Sequence, residues 1–378
     1  VSGSSFTRRS LITAAFAHAA CARRAGSGYR GFAYVATEES RAIAVVDMLA
    51  FAVRSRIELK GSPTGIVTQP GAKANIAYII EHDDAGLAWL QEVNLAQRLL
   101  RRRIARGKAP LLVKRQAGGM LWLAARDERA LIPLDPEGFR PGRPVNVPAP
   151  VVSLDVSSRA GLACAALADG TLQFVDLNSR KPQANVKLHE GAQPGEVCFR
   201  SDGRTVMVCD RANRLLAIAD VEKRQLMTEL PLSLRPDNLC MKEDGGQLFI
   251  TGGGQDAVVI AYPYRTEIAQ TSLSGRKPGA MACSSEPEFL FVANPSAGSV
   301  TVLDLQTQKV LAVTGVGLEP SFIAVTPDQQ YALVLNRASG DMGVIRIAAI
   351  TARRTRQAPL FTMIPVGAKP VSAVVLSA

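Results

Sequence analysis

Beyond residue 30 the chain alternates short apolar runs with polar turns, and the alternation has a long period. A proline, an apolar run and a polar turn recur in that order from Pro63, Pro110, Pro150, Pro194, Pro236, Pro278, Pro320 and Pro370. A spacing of about 40 to 50 residues is that of one four-stranded propeller blade. The unit opening at Pro194 shows the cycle most plainly. Residues 196–199 predict an inner strand A, Ser201-Asp202-Gly203 a hairpin turn, 205–209 strand B, 215–220 strand C and 225–230 strand D.

Ahead of Pro63 the pattern supplies three strands only, at 31–36, 42–47 and 53–59. The missing one comes from the other end, where Pro370 introduces an apolar run at 371–376. Joining the two ends in one blade removes the pair of sheet edges that an open array would expose. The expected fold is all-β: a single eight-bladed β-propeller of four-stranded antiparallel blades over residues 31–378, closed by its C-terminal strand. Seven blades is the alternative, because the unit from Pro110 to Pro150 is compressed and 349–365 is long and arginine-rich for a strand D. Strand C ends in aspartate at Asp47, Asp135, Asp176, Asp220 and Asp304, whereas Gln91, Tyr262 and Ile347 stand at the places read as matching. An aspartate after a strand accepts N–H groups of the turn that follows, so these carboxylates read as structural.

Composition sharpens this picture. Apolar residues make up 47% of the 378 while aromatics are only 5%, so the sheets are packed with Val, Leu, Ile and Ala. The six cysteines contain no C-x-x-C, and His82 and His189 are the only histidines beyond the first 30 residues, which argues against structural zinc. Cys198 and Cys240 fall four residues after their repeat prolines and Cys283 five after, the placement of small buried residues in inner strands. No apolar stretch is long enough for a transmembrane helix.

Residues 1–30 read differently. Arg8-Arg9 precedes an apolar run at 11–20, with small residues at Ala17 and Ala19, which fits a secretory signal too short to span a bilayer. The stretch resembles a twin-arginine export signal. Cys21 invites a lipidation reading, but His18 stands where a lipobox has leucine. Export to the periplasm or cell surface is expected.

The repeat resembles the YVTN family of β-propellers. The likeness is carried by Phe199-Arg200-Ser201-Asp202-Gly203 with Val206-Met207-Val208-Cys209, by the run from Val325 to Asn336, and by Phe289-Leu290-Phe291-Val292-Ala293-Asn294 leading into 299–304. That family is related in shape to the cytochrome d1 haem domain, to lactonase-like propellers and to surface-layer propellers. The resemblance implies the fold; its d1 branch would imply a tetrapyrrole in the channel, although no residue here matches that site. The same disk hosts binding modules and enzymes alike.

Strand A begins on the face to which the B–C loop returns, so the repeat prolines and the B–C loops share a rim. In or beside those loops fall Glu38, His82, Asp83, Arg126, Asp127, Asp210, Arg211, Asn213, Asn294, Asn336 and Arg337, a polar crown of mixed sign and the candidate ligand-binding face. Interleaved arginines disfavour a divalent metal site. His82 reads as the one histidine on this face. There is no G-x-S-x-G and no G-x-G-x-x-G opening a helix; Gly252-Gly253-Gly254 reads as a flexible B–C turn.

The net charge of +11 is uneven. Arg98, Arg101, Arg102, Arg103, Arg106 and Lys108 crowd one strand D, Arg353, Arg354 and Arg356 another, and Arg54, Arg56 and Lys60 the strand D between them. Such a sector suits an anionic envelope component or an acidic protein, or else guards an exposed edge. The aromatic interleaving of single-strand nucleic-acid binders is missing. The expectation is an exported, monomeric, non-enzymatic binding or scaffold module with no cofactor and no metal, acting on an anionic partner or a small ligand; the alternative is a lactonase-like enzyme or a d1-haem or tetrapyrrole-handling propeller.

Overall fold

The computed structural model describes residues 28–68, 75–108, 111–125, 128–350 and 358–377. Cys21 and the rest of the proposed export signal up to residue 27, together with Arg126, Asp127, Arg353, Arg354 and Arg356, lie outside the described residues.

Eight antiparallel sheets form eight blades. Blade 1 takes β1 (Gly31–Thr37), β2 (Ala42–Asp47) and β3 (Ala52–Glu58) from the start of the chain. Blade 2 is β4 (Ser62–Thr68), β5 (Ile76–His82), β6 (Ala88–Asn94) and β7 (Leu99–Ala105). Blade 3 is β8 (Leu111–Arg115), β9 (Leu121–Ala125), β10 (Ala130–Asp135) and an outer strand in two pieces, β11 (Arg140–Pro141) and β12 (Val145–Asn146). Pro141 and Pro144 cannot donate to a ladder, which accounts for the break. Blade 4 is β13 (Val151–Ser157), β14 (Leu162–Leu167), β15 (Thr171–Asp176) and β16 (Val186–Lys187). Blade 5 is β17 (Pro194–Phe199), β18 (Thr205–Asp210), β19 (Leu215–Asp220) and β20 (Gln225–Pro231). Blade 6 is β21 (Arg235–Met241), β22 (Leu248–Gly253), β23 (Ala257–Tyr262) and β24 (Glu267–Leu273). Blade 7 is β25 (Met281–Cys283), β26 (Phe289–Asn294), β27 (Ser299–Asp304) and β28 (Val310–Gly315). Blade 8 is β29 (Pro320–Val325), β30 (Tyr331–Asn336), β31 (Asp341–Arg346) and β32 (Leu360–Pro365). The last strand, β33 (Pro370–Ser377), then pairs with β1 from Gly31↔Ser377 to Thr37↔Pro370 and completes blade 1. The compressed third unit is a full blade, so the eight-bladed reading holds and the seven-bladed one falls.

Ring closure is visible in the core as well as in the pairing. Eight buried apolar clusters occupy the eight contacts between neighbouring blades, including the seam where blade 8 meets blade 1 through Tyr331, Leu333, Ala33 and Val35. The middle strands are buried on both faces, and period-2 alternation deals their side chains to the two neighbours. In β22, Leu248 and Ile250 pack toward blade 5 while Phe249 packs toward blade 7.

The C–D turns repeat one device. The carboxylate that ends strand C accepts N–H groups two and three residues on: Asp47 from Leu49 and Ala50, Asp176 from Asn178 and Ser179, Asp220 from Glu222 and Lys223, Asp304 from Gln306 and Thr307. The residue four on then takes a left-handed φ, as at Phe51, Arg180, Arg224 and Gln308. Two places need correcting. In blade 2 the turn position falls on Asn94, whose Oδ1 accepts the Gln97 N–H, and not on Gln91. Gln91 is instead a buried strand residue donating to the carbonyls of Glu92 and Arg102. In blade 8 strand C ends at Arg346, one residue before Ile347.

A candidate ligand site at the channel rim

Strand register shows how the rim is built. Opposite the repeat proline stands one residue of strand B: Thr37 faces Pro370, Glu81 faces Pro63, Asp210 faces Pro194, Gly252 faces Pro236 and Asn336 faces Pro320. Where this residue is polar it is buried; Thr37 donates to the Ala42 carbonyl of its own B–C turn, and the others clasp the linker that brings the chain in from the preceding strand D. Glu81 Oε2 accepts the Gly61 N–H at 3.1 Å, and Asp210 Oδ1 accepts the Gln193 N–H at 3.1 Å. Asn294 Oδ1 accepts the Gly275 N–H at 3.0 Å, and Asn336 Nδ2 donates to the Val316 carbonyl at 2.8 Å. Burial pushes the Glu81 carboxyl above its ordinary range, against the pull of Arg103 and the Gly61 N–H. Of the residues proposed from sequence, Asp210, Asn294 and Asn336 thus lie beneath the rim, committed to backbone.

Other candidates pair in the rim itself. Glu38 Oε2 meets Arg337 Nη2 at 2.7 Å across the seam between blades 1 and 8. Asp83 accepts from the Trp89 indole at 2.8 Å and from the N–H groups of Ala85 and Leu87, and the Trp89 bond leads in holding its carboxyl below the usual range. His82, at the end of β5, is half-buried. It is not alone on this face: His189, in the linker before β17, places Nδ1 2.7 Å from Glu229 Oε1 and Nε2 3.4 Å from Asp210 Oδ2. The Glu229 carboxylate raises the imidazole above its ordinary value. Reading only B–C loops for the rim left out the D–A linkers, which lie on the same face.

Blade 6 breaks the clasp rule, and there a cavity of about 580 Å³ opens. Gly252 takes the clasp position because the backbone runs too close for a side chain: a Cβ there would sit 1.8 Å from the Arg235 carbonyl oxygen. The cavity is lined by Gly252, Gly253 and Gly254 with Arg235, Asp237 and Lys277. Asp237 lies between Arg211 Nε at 3.1 Å and Arg235 Nη2 at 3.6 Å, and its Oδ2 accepts the Gly253 N–H at 3.2 Å. Lys277 is anchored by its backbone, whose N–H donates to Asp256 Oδ1 at 2.8 Å. Its ammonium has no ion-pair partner among the described residues. Arg211 reaches this site over Gly195, where a Cβ would come within 3.0 Å of Nε. Of the sequence candidates, Arg211 is brought here and its neighbour Asn213 turns back onto Asp210 at 2.9 Å. Arg235, Asp237 and Lys277 were missed; the available signal was three successive glycines, of which Gly252 and Gly253 end strand β22 and only Gly254 lies in the B–C turn expected for all three.

The basic sector is largely engaged where it is described. Glu92, buried on β6, takes Arg101 at 3.2 Å and also Arg102, while Arg103 Nε pairs with buried Glu81 at 2.9 Å and lies 3.9 Å over the Trp89 ring. Arg102 further donates to the carbonyls of Pro136 and Glu137 in blade 3. Arg54 pairs with Asp47 at 2.9 Å, and Arg56 donates to the Val366 carbonyl. Arg98 and Lys60 are exposed in turns; Arg106 and Lys108 follow the end of β7.

No family model and no curated protein matches the chain. Among solved structures, it is similar to the dihydro-heme d1 dehydrogenase NirN in complex with DHE, at 13% identity and a TM-score of 0.74, over 91% of this chain and 75% of that one. It is also similar to Kuenenia stuttgartiensis hydrazine synthase, at 15% identity and a TM-score of 0.57, over 76% of this chain and 96% of that one. Since 1738 solved chains match, the likeness speaks for the architecture alone. The protein belongs to the class of eight-bladed β-propellers, in fold akin to the propellers of d1-haem proteins.

Proposed function

We propose that the protein is a binding propeller that takes a small, multiply carboxylated ligand of the tetrapyrrole class at the channel rim between blades 6 and 7. The carrying observation is the glycine-lined cavity with Arg235 and Lys277 at its edge, since cations beside a close-lying backbone suit carboxylate side arms. Support from the fold is the likeness to NirN in complex with DHE.

The donors decide how such a group would be held. Cationic side chains fit its carboxylates. An axial ligand is a different matter, because the cavity lining contains no His, Cys, Met or Tyr. His189 holds both ring nitrogens against carboxylates. The residues therefore fit recognition of an anionic periphery and do not fit iron ligation by the cavity wall. The role proposed is binding or carriage, with no bond-making step assigned to the chain.

The test is an absorbance and fluorescence titration of the full chain with a dicarboxylic porphyrin, beside an octa-alkyl porphyrin without carboxylates. Saturable binding of the first and none of the second is expected. The double variant Arg235→Glu, Lys277→Glu should weaken binding at least about tenfold, the loss of two charge-assisted contacts at an exposed rim. No binding by the wild type, or equal binding by the variant, overturns the reading.

A further inference from the structure

The inner strands β21 and β25 bring two cysteines of different blades together. Cys240 Sγ lies 3.6 Å from Cys283 Sγ, although the residues are 43 apart in sequence. Theirs is the one contact between cysteine sulfurs among the described residues, and both side chains are half-buried rather than sealed in the core. Cys283 also lines a cavity of about 540 Å³ at the A–B turn end of the blades, with Lys242, Asp244 and Glu288. A small reagent thus has a way to one sulfur, and the second waits behind it.

The surroundings give the pair a purpose. β25 is three residues long, shorter than any other inner strand, and the segment before it, from Lys277, forms one wall of the rim cavity. A covalent link from β25 to β21 would tie blade 7 to blade 6 where the inner ring is least paired. Sulfurs in contact need only modest side-chain rotation to reach the bonded separation of about 2.05 Å.

We infer that Cys240 and Cys283 are a redox-closed staple between blades 6 and 7, formed by exchange with an external disulfide. Cys283, the more accessible sulfur, loses its proton and attacks one sulfur of the external disulfide, releasing the first thiol and leaving a mixed disulfide. Cys240 then loses its proton and attacks Cys283 Sγ, which releases the second thiol. Two protein thiols are oxidised, two protons and two electrons pass to the external disulfide, and two small thiols leave. The Cys240 sulfur beside it, and after that burial, hold the Cys283 thiol above its ordinary value, with the Lys242 charge opposing, so closure should be slow near neutrality and faster in alkali.

The test treats reduced, full-length protein with oxidised glutathione, blocks free thiols in denaturant and maps peptides without reduction. The expected result is one cross-linked peptide pair carrying Cys240 and Cys283, two fewer titratable thiols, and a melting temperature raised by several degrees and restored by reductant. Cys240→Ala and Cys283→Ala should each abolish the cross-link and the shift, while Cys198→Ala keeps both. Alanine already stands at the place of Cys240 in the next two blades, at Ala282 and Ala324, so melts of the reduced variants check that they fold. Cys240 and Cys283 both still free after oxidant, arrest at the glutathione mixed disulfide, or a cross-link to Cys198 would each overturn the assignment. The readout needs no ligand, so it stands or falls apart from the porphyrin titration.

Discussion

The outer strands β7 and β28 hold the same place in blades 2 and 7, and their compositions are opposite. β7 reads Leu99-Leu100-Arg101-Arg102-Arg103-Ile104-Ala105; β28 reads Val310-Leu311-Ala312-Val313-Thr314-Gly315, with no charge at all. Strand register explains the contrast from inside the blade. The clasp position is Glu81 in blade 2 and Asn294 in blade 7, and the place of Glu92 on β6 is taken by Val302 on β27. Two buried carboxylates in one blade are answered by arginines on its outer strand; the other blade has neither. Arg103 and Val313 occupy one position, yet the arginine side chain is 19% exposed and the valine 63%. An arginine-rich edge is therefore no measure of free surface charge.

Among single substitutions, the comparison is broken most severely by removing the arginine. Arg103→Ala leaves Glu81 buried without its guanidinium partner, and a buried pair that loses one partner costs about 3 to 5 kcal/mol. Reversing Arg101, Arg102 and Arg103 together to glutamate should prevent blade 2 from assembling rather than merely subtract surface charge. Urea denaturation of Arg103→Ala measures the single loss. A midpoint indistinguishable from wild type would show that the Glu81 pair carries no stability and that β7 is a solvated edge.

The blade count, the split blade and the turn aspartates were readable because each follows from local pattern: a period, an alternation, a carboxylate after a strand. The engagement of β7 was not. Its partners Glu81 and Glu92 sit in strands whose polar residues look like solvent-facing positions of an ordinary sheet, while both faces of a middle blade strand are in fact covered. Asp210, Asn294 and Asn336 mislead for a related reason, since a polar residue at a loop entry looks available until the linker beneath it is placed. The cavity at Arg235 and Lys277 needed two blades and a D–A linker to come together, and only Gly252-Gly253-Gly254 hinted at it. Cys240 and Cys283 show the same limit: their strand positions could be read, but a contact 43 residues apart depends on the angle between blades.

A smaller effect is expected when both members are exchanged at once. Glu81→Asn with Arg103→Val gives blade 2 the chemistry of blade 7, and replacing a buried pair by neutral residues of suitable size is often close to neutral. Most of the loss seen in Arg103→Ala should return. The pH dependence supplies a second readout. Because the Glu81 carboxyl is raised in the fold above its ordinary 4.5, its contribution to stability is complete below about pH 4.5 and is lost as pH rises through the higher folded value. Stability curves of wild type and double variant should therefore separate in that window, the wild type alone losing this contribution. Parallel curves would mean that Glu81 titrates alike in the folded and unfolded chain.

The smallest effect is the mirror substitution, Val313→Arg, which places the arginine of blade 2 on the outer strand of blade 7. Nothing at the clasp position calls it inward, because Asn294 is already spent on the Gly275 N–H and on Thr301 Oγ1. Register puts Val313 opposite Thr301 at an edge strand whose outer side is open. Little apolar area is lost from so exposed a valine, and a long side chain at an edge keeps its charge in water over an apolar stem. A surface substitution of this kind changes stability by no more than about 0.5 kcal/mol, with the melting temperature moving by about 1 to 2 °C at most. Calorimetry of Val313→Arg beside Arg103→Ala makes the comparison directly. A loss as large as that of Arg103→Ala would show that the two strands differ in exposure for a reason other than the carboxylates beneath them, and the rule linking buried acids to outer arginines would fail with it.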